Sequence, residues 1–517
     1  MLQYFNVRSL AAVVSGLLLT ACFPKPALSW LAWVALVPLF FAVCDAAGKS
    51  RFRLGLLAGC AHYFTLIYWL VPTLRIYGEL PLVVAVLLFL LLAIYLALYV
   101  GLFTFIITGI RGKGIGGVFA APFVWVGLEY LQTFLLSGFP WELLGYSQYM
   151  RLPLIQLADI TGVYGVSFLI VLVNAVIFSV LMWAMKLSWH SVHPKGRQVV
   201  YAGLVTLALM GGAWGYGKWR LGMIDRYLTD VPTRKVALVQ GNIDQNKKWE
   251  DSFKQETVTK YLELCQSAFK ETPDLVILPE TAMPFFFRYE QDLTAMIQRQ
   301  ARQMGVYLLT GAPSFERDGD TLAFFNSAYL VGPDGKVEDR YDKIHLVPFG
   351  EYIPMGQWFP FIEKIVFGSG DFSPGTEGRL VQMGNWYLGV QICYEIIFPG
   401  SARLMTRNGA SVIVNITNDA WYGRTSAPWQ HFSMTVFRAV ENRRSLVRSA
   451  NTGISGFVWP SGRIRSTTPL FEEAVVTSDV PACLLTSVYT RVGNVFAILC
   501  LMIMVFVLWR RYRYNTT

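Results

Sequence analysis

The sequence predicts a polytopic α-helical membrane domain with eight transmembrane helices, carrying an extracytoplasmic α/β domain. Three observations lead there. Apolar stretches long enough to span a bilayer recur through the first 217 residues and once more near the end. The Lys and Arg residues between those stretches alternate between rich and poor loops. The segment between the seventh and eighth stretches has another texture, with short Val-, Ile- and Leu-rich runs separated by helical periodicity.

The totals agree. Of 517 residues, 54% are hydrophobic and 15% charged, with a mean hydropathy of +0.42. Soluble domains carry about a quarter charged residues, so a membrane protein with a soluble part attached is expected. The net charge of +10 raises the question of nucleic acid. Its Lys and Arg residues cluster between apolar stretches, as topology signals do, and no nucleic-acid partner is expected. There is no C-x-x-C spacing and the five histidines are scattered, so a metal site is not expected. Cys22, Cys44, Cys60, Cys265, Cys393, Cys483 and Cys500 make an odd set, four of them inside apolar runs, which implies no disulfide framework.

The apolar stretches fall at about 9–24, 27–44, 55–73, 81–110, 116–137, 162–185, 199–217 and 492–509. One set of loops and ends holds Arg8, Lys49, Arg51, Arg53, Arg111, Lys113, Lys186, Lys195, Arg197, Arg510, Arg511 and Arg513. The alternate set holds only Lys25, Arg75 and Arg151. By the positive-inside rule both termini are cytoplasmic and 218–490 faces the other side. "LTAC" at 19–22 resembles a lipoprotein cleavage box, but cleavage would leave an odd number of spans. The first span is therefore kept. No span shows a charged residue near its centre in this reading.

Within 233–482, "KVALVQ" (235–240), "DLVILPE" (274–280), "VYLLTGAP" (306–313), "FFNSAYLVG" (324–332), "YLGVQICYE" (387–395) and "SVIVNITN" (411–418) read as buried strands. Helical periodicity marks 251–270, 291–304 and 429–443. The expected domains are thus 1–217 with seven spans, 233–482 as the α/β domain, and 492–509 as the eighth span.

Three strand ends or following loops carry ionisable groups: Glu280, Lys343 and Cys393. Seen singly, each has a plain structural reading: a helix cap, a surface ion pair with Asp342, a core thiol. Together they complete one another. A thiol is mostly protonated at neutral pH and needs a base. A partly buried glutamate can take that proton and return it to a leaving group. An ammonium can stabilise thiolate and oxyanion. The set suits acyl transfer through a thioester in two half-reactions.

"LPETAMP" (278–284), "YDKIHLVPFGEYIP" (341–354) and "QICYEIIFPG" (391–400) resemble the three signatures of the nitrilase, or carbon–nitrogen hydrolase, superfamily. With "VQGNIDQNKKWE" (239–250), "NITNDAWYGRTSAPWQHF" (415–432), "RAVENRRSLVRSANTGIS" (438–455) and eight spans, the chain is similar to the apolipoprotein N-acyltransferase family. The resemblance implies a nitrilase-like αββα sandwich on the periplasmic side of a bacterial inner membrane. It implies that Cys393 attacks the sn-1 ester of a phospholipid, typically phosphatidylethanolamine, and that the thioester acylates the N-terminal amine of a diacylglyceryl-cysteine apolipoprotein. Glu280 is then general base and acid, and Lys343 the electrostatic stabiliser. Glu351, Tyr394 and Glu395 match supporting positions, and Trp249 matches a tryptophan on an arm over the site. No metal or cofactor is implied.

Both substrates are lipid-anchored, so the site should open toward the bilayer. "AMPFFF" (282–287), with Phe285, Phe286 and Phe287, and "QWFPFIEKIVFG" (357–368) are candidates to dip into the interface, with core packing as the alternative. Trp141, in "SGFPWELLGYSQY" (137–149), and Trp421 are further candidates to line lipid entry. Two other readings share these features: a membrane-tethered amidase or nitrilase hydrolysing a C–N bond, and a transporter or scaffold with an inactive nitrilase-like domain. Eight spans exceed what an anchor needs, and transport usually requires charged residues within the spans.

Overall fold

The computed structural model describes the chain except residues 1, 47, 110–115, 190, 246, 247, 249, 319, 320, 353–371 and 517. It divides into two compact units. The first comprises Met1–Val71, Leu82–Leu221 and Val492–Thr517; the second comprises Pro72–Pro81 and Gly222–Arg491.

The first unit is helical, with Leu2–Ala21, Ser50–Leu66, Leu82–Ile107, Gly116–Gln132, Val163–Ala184 and Val495–Thr516 as its longer helices, together with the part of Gly196–Leu228 up to Leu221. By length and composition, Leu82–Ile107, Val163–Ala184 and Gly196–Leu228 suffice to cross a membrane. A fourth is added if the bent pair Ser50–Leu66 and Leu70–Tyr77 is one span, and shorter apolar helices occupy 7–21, 29–43, 152–161 and 495–509. Helices Ser50–Leu66 and Leu82–Ile107 approach closely because glycine lacks a side chain: a Cβ on Gly59 would lie 2.8 Å from the Ala97 main chain.

One expectation fails here. Glu129 is a charged-type residue in the helix Gly116–Gln132, and it is buried. Its Oε1 accepts hydrogen bonds from Trp125 Nε1 at 2.9 Å and the Leu144 main-chain N–H at 2.8 Å. Two donors on one oxygen offset the desolvation that a carboxyl suffers in an apolar bundle.

The second unit holds two six-stranded sheets. One has β1 (Thr233–Gln240), β2 (Leu275–Ile277), β3 (Tyr307–Asp318), β4 (Thr321–Val331), β5 (Val337–Asp342) and β12 (Ala474–Pro481), in the order β12-β1-β2-β3-β4-β5. The other has β6 (Val381–Met383), β7 (Trp386–Ile392), β8 (Val412–Thr417), β9 (Ser445–Ala450), β10 (Gly456–Val458) and β11 (Ile464–Thr467), in the order β11-β10-β9-β8-β7-β6. Each sheet has a parallel three-strand centre, β1-β2-β3 or β7-β8-β9, flanked by antiparallel strands. The sheets face each other: Ser449 Oγ on β9 donates to the carbonyls of Val239 on β1 and Ile277 on β2, at 3.1 and 3.2 Å.

Helices α1 (Asp251–Phe269) and α2 (Gln291–Met304) cover the outer face of the first sheet. Val258, Tyr261, Cys265, Ile297 and Ala301 pack there with Val239, Val276 and Leu308 in one buried core. Helices α3 (Pro399–Arg407) and α4 (Ala427–Asn442) pack on the second sheet. The layering is helix, sheet, sheet, helix: the αββα sandwich of the nitrilase-like fold.

Of the strands of the two parallel centres, β1, β2, β3, β7 and β8 were legible and β9 was not, while β4 was legible although it pairs antiparallel. The edge strand β5, "VEDRYD", was not expected, because its charges hide any alternation. Strand β9, "SLVRSA", is buried along its whole length despite an arginine in its middle. The boundaries also differ from a continuous domain over 1–217. Residues 72–81 belong with the second unit, where Thr73 Oγ1 donates to the Trp421 carbonyl at 2.9 Å and the Tyr77 ring meets Trp421 edge-on at 5.5 Å.

Candidate active site

The parallel centres of both sheets end at the same place. Glu280 follows β2 in a tight turn, and Gly311 on β3 lets that turn approach: a Cβ there would lie 2.7 Å from Glu280 Cα. Lys343 directly follows β5 and Cys393 directly follows β7. All three side chains are buried, at 5%, 1% and 9% exposure, so charges here interact in a medium far less screening than water.

Lys343 Nζ lies 2.9 Å from Glu351 Oε1 and 3.7 Å from Glu280 Oε1. Asn326 Nδ2 bridges the same two carboxylates, at 2.8 Å from Glu280 Oε1 and 3.0 Å from Glu351 Oε1. Glu280 Oε2 accepts from the Asn418 main-chain N–H at 2.9 Å, and Glu351 Oε2 from the Val347 N–H at 2.8 Å. Each carboxylate is thus oriented by two or more donors. Burial opposes the Lys343 charge, but Glu351, then Glu280 and Cys393, outweigh it and hold its pKa above the ordinary value.

Cys393 sits at φ +52°, a left-handed conformation that costs a non-glycine residue about 1–3 kcal/mol. Burial, with help from the Glu280 and Asp419 charges, pushes its thiol pKa up; Lys343 and a Thr417 hydrogen bond pull it down. The resting sulfur is therefore a thiol, and only proton transfer to a nearby base makes it a nucleophile.

Glu395, fully buried, ties the loops together. It accepts from the main-chain N–H groups of Ile392 at 2.6 Å, Ile344 at 2.7 Å and His345 at 3.0 Å, and from Tyr341 Oη at 3.0 Å. It thereby joins the loop after Lys343 to the turn at Cys393. Tyr394 packs edge-on against Phe398, with ring centres 5.2 Å apart.

The aromatic candidates separate. Phe285 and Phe287 are core residues of the first sheet, stacked on each other at 6.1 Å, with Phe287 on Tyr329 at 4.8 Å. The alternation of a turn leaving the sheet turns these two inward, which takes them away from any interface role. Phe286 is half-buried against Phe315 and Phe324. Trp421 is half-buried against Tyr77. Trp141 is buried inside the helical unit, beside Trp69 at 4.9 Å and Phe139 at 5.9 Å. Trp249 and 357–368 lie outside the described residues.

Several site residues escaped the sequence. Asn326 and Asn418 are two. A third is Lys248, fully buried, whose Nζ donates to the Glu280 carbonyl at 3.3 Å; burial lowers its pKa to about 7 against the raising effect of Glu280. The fourth is a cluster beneath Cys393. Asp419 Oδ2 meets Arg448 Nη2 at 2.8 Å, and its Oδ1 meets His431 Nδ1 and Thr417 Oγ1, both at 3.0 Å. Arg448 also bonds Asn415 Oδ1. Among the described residues, no group of His, Cys, Asp and Glu is arranged to hold a metal ion.

Residues 15–176 match the family pattern described as the apolipoprotein N-acyltransferase N-terminal domain, and 235–489 match carbon–nitrogen hydrolase. An apolipoprotein N-acyltransferase of Geobacter metallireducens is 45% identical over 95% of this chain and 92% of its own. The chain belongs to the apolipoprotein N-acyltransferase family. A second member, from Chlorobaculum tepidum, is 31% identical over 95% of this chain and 93% of its own. Among solved structures, an amidase from Nesterenkonia sp. AN1 is similar over 50% of this chain and 96% of its own, at 19% identity and a TM-score of 0.38. Membership in the N-acyltransferase family covers both units, so the helical part is as much a family feature as the sandwich.

Proposed function

We propose that this chain N-acylates lipoproteins, moving an acyl chain from a phospholipid, with phosphatidylethanolamine as the expected donor, to the N-terminal amine of a diacylglyceryl-cysteine. One observation carries the chemistry: a buried thiol whose surroundings include a carboxylate, Glu280, and an ammonium, Lys343, already paired to each other. Glu280 takes the Cys393 proton, and the thiolate attacks the sn-1 ester carbonyl. Lys343 faces the developing oxyanion, whose charge its ammonium offsets. Collapse expels the lysophospholipid alkoxide, which takes the proton back from Glu280. In the second half, the lipoprotein amine attacks the thioester and gives its proton to Glu280, and the Cys393 thiolate leaves and takes that proton back to restore thiol and carboxylate.

Glu351 and Asn326 keep Lys343 and Glu280 aligned, and Glu395 holds the Cys393 turn. In this reading the apolar runs form eight spans in a bacterial inner membrane. Both termini are cytoplasmic and the sandwich is periplasmic, since lipid-anchored donor and acceptor both reach the site from the bilayer. Phe286 and Trp421, half-buried rather than core, remain the candidates to meet acyl chains.

The test is detergent-extracted protein incubated with phospholipid alone, then with a diacylglyceryl peptide. An acyl adduct should form on Cys393, pass to the peptide, and be absent in Cys393→Ser. An adduct on another cysteine, or release of free fatty acid with no peptide acylation, would replace this reading with a hydrolase. Reporters after Asn515 and near Arg317 should report opposite sides of the membrane; the same side would overturn the eight-span topology.

A further inference from the structure

The helical unit contains a cavity of about 30 Å³, walled by the helices Leu2–Ala21, Ser50–Leu66, Leu82–Ile107 and Gly116–Gln132 and by residues 142–144. One water-sized group takes about 10–15 Å³ on this scale, so two heavy atoms fit. The wall carries charge-bearing side chains. Glu129 and Glu142 both line it, at 6% and 3% exposure, and no Lys or Arg is among the described residues that do. Glu129 Oε1 is held by Trp125 Nε1 and the Leu144 N–H, whereas its Oε2 has no hydrogen-bond partner among the described residues. Glu142 stands at φ +52°, a costly conformation for a residue with a side chain, in the loop that the Leu144 N–H ties to Glu129. The base on the wall, His62, is engaged through Nδ1 with the Thr20 hydroxyl at 2.9 Å. Tyr63, Tyr99, Phe103 and Trp125 add aromatic rings.

We propose that this cavity is a binding site for a small primary ammonium, anchored on Glu129 Oε2. Three features select that chemistry. A carboxyl oxygen left without a donor in an apolar bundle is unfavourable, and a cationic N–H satisfies it with a charge-assisted hydrogen bond. Aromatic walls attract an ammonium through the ring quadrupole, whereas a hard metal ion takes a shell of oxygen ligands. In keeping with this, no group of His, Cys, Asp and Glu among the described residues is arranged to hold a metal ion. Size sets the last limit: a nitrogen and the carbon that bears it fit, and a nitrogen bearing four carbons does not.

The inference goes beyond the acyl-transfer reading and does not depend on it. The same chemistry has two sources, the ethanolamine head group of a phospholipid and a free alkylammonium ion. Nothing in "WVGLEYLQ" (125–132) marks Glu129 as a ligand-binding residue. The cavity beside it does, together with the unequal treatment of its two oxygens.

The test uses the full chain in detergent at neutral pH, melted in methylammonium chloride, sodium chloride or tetramethylammonium chloride at equal ionic strength. Methylammonium should raise the melting temperature saturably, by about 2–4 °C at about ten times its half-saturating concentration. Sodium and tetramethylammonium should give no saturable rise. Glu129→Gln keeps an oxygen for Trp125 and Leu144 but removes the charge, and should abolish the methylammonium rise. If that variant does not fold, Glu142→Gln carries the same comparison. A second arm distinguishes the sources, with the chain in nanodiscs of ethanolamine or choline phospholipid. A higher melt in ethanolamine lipid that the variant loses assigns the site to the head group; a rise with methylammonium alone assigns it to a free ion. A parent that responds neither to methylammonium nor to the lipid head group overturns the proposal. So does a rise equal in all three salts, or one that survives loss of the carboxylate charge.

Discussion

Two buried polar clusters flank Cys393, and they differ in charge balance. On the first sheet's side, Lys343 is shared between Glu280 and Glu351. On the second sheet's side, Asp419 is matched by Arg448 and completed by a histidine whose pKa burial and Arg448 hold down. The second lysine nearby, Lys248, is turned to the Glu280 carbonyl, and burial lowers its pKa to about 7, so the first cluster keeps a carboxylate without a full counter-charge of its own, while the other cluster is closed. A surplus buried carboxylate is an unfavourable arrangement for stability alone, because it is a charge without its own partner. It is what a proton acceptor requires. The comparison teaches where to look for chemistry: the incompletely neutralised cluster reacts, and the neutralised one supports.

The largest effect should come from cancelling the surplus. Glu280→Gln keeps the Asn326 contact possible but removes the base, and single-turnover acyl-enzyme formation should fall by about a hundred- to ten-thousand-fold. Near-normal acylation in that variant would break the comparison at its root. Lys343→Met removes the shared cation and should slow acylation by about a hundred- to a thousand-fold. Lys343→Arg keeps the charge in a planar, longer form, and retention of part of the activity would sharpen the electrostatic account. Equal loss in both lysine variants would show that the point geometry at 2.9 and 3.7 Å matters as much as charge.

The closed cluster predicts a different signature. Arg448→Met strands Asp419 in the core and should destabilise the sandwich by about 3–5 kcal/mol, seen as a lowered melting temperature. Adding Asp419→Leu should recover part of that loss, since the double variant leaves no unpaired charge. A single variant with an unchanged melt would show that the pair is not what holds β8 and β9 beneath the site.

How the two clusters were legible in the sequence follows the same line. Glu280 and Cys393 each stand at the end of an apolar run, so their reactive types in that position were visible, and so was most of the parallel core that carries them; Lys343 follows the charged strand β5 and was visible through its motif rather than through an apolar run. Asn326, Asp419, His431 and Arg448 were not. Arg448 lies within β9, where an arginine reads as an interruption, and it is tolerated only because Asp419 and Asn415 arrive from another strand. Lys248 likewise stands among polar residues and reads as solvated, whereas the fold buries it against the Glu280 carbonyl. Long-range pairing leaves no local trace. The Phe285-Phe286-Phe287 run shows the converse: three like residues in a row, of which two belong to the core and one does not.

The smallest effect is also the one that separates the clusters by sign, through pH. Lys343 has its folded pKa raised above its ordinary 10.5. A raised pKa means the folded state holds the proton more tightly, so this stabilisation is complete below about pH 10 and fades as pH rises through the folded value. Asp419 has its folded pKa lowered from its ordinary 3.8: burial opposes the charge, and Arg448 and then His431 outweigh it. Its stabilisation is complete above about pH 4 and fades as pH falls toward the folded value. The two clusters should therefore weaken at opposite ends of the scale. Melting temperatures recorded from acid to alkaline pH should show Lys343→Met flattening the alkaline arm and leaving the acid arm alone. Arg448→Met should do the reverse, because Asp419 then has no cation to hold its carboxyl low. If both substitutions reshape the same arm, the clusters are coupled through Cys393 rather than separate. The division between a reacting and a supporting set would then have to be redrawn.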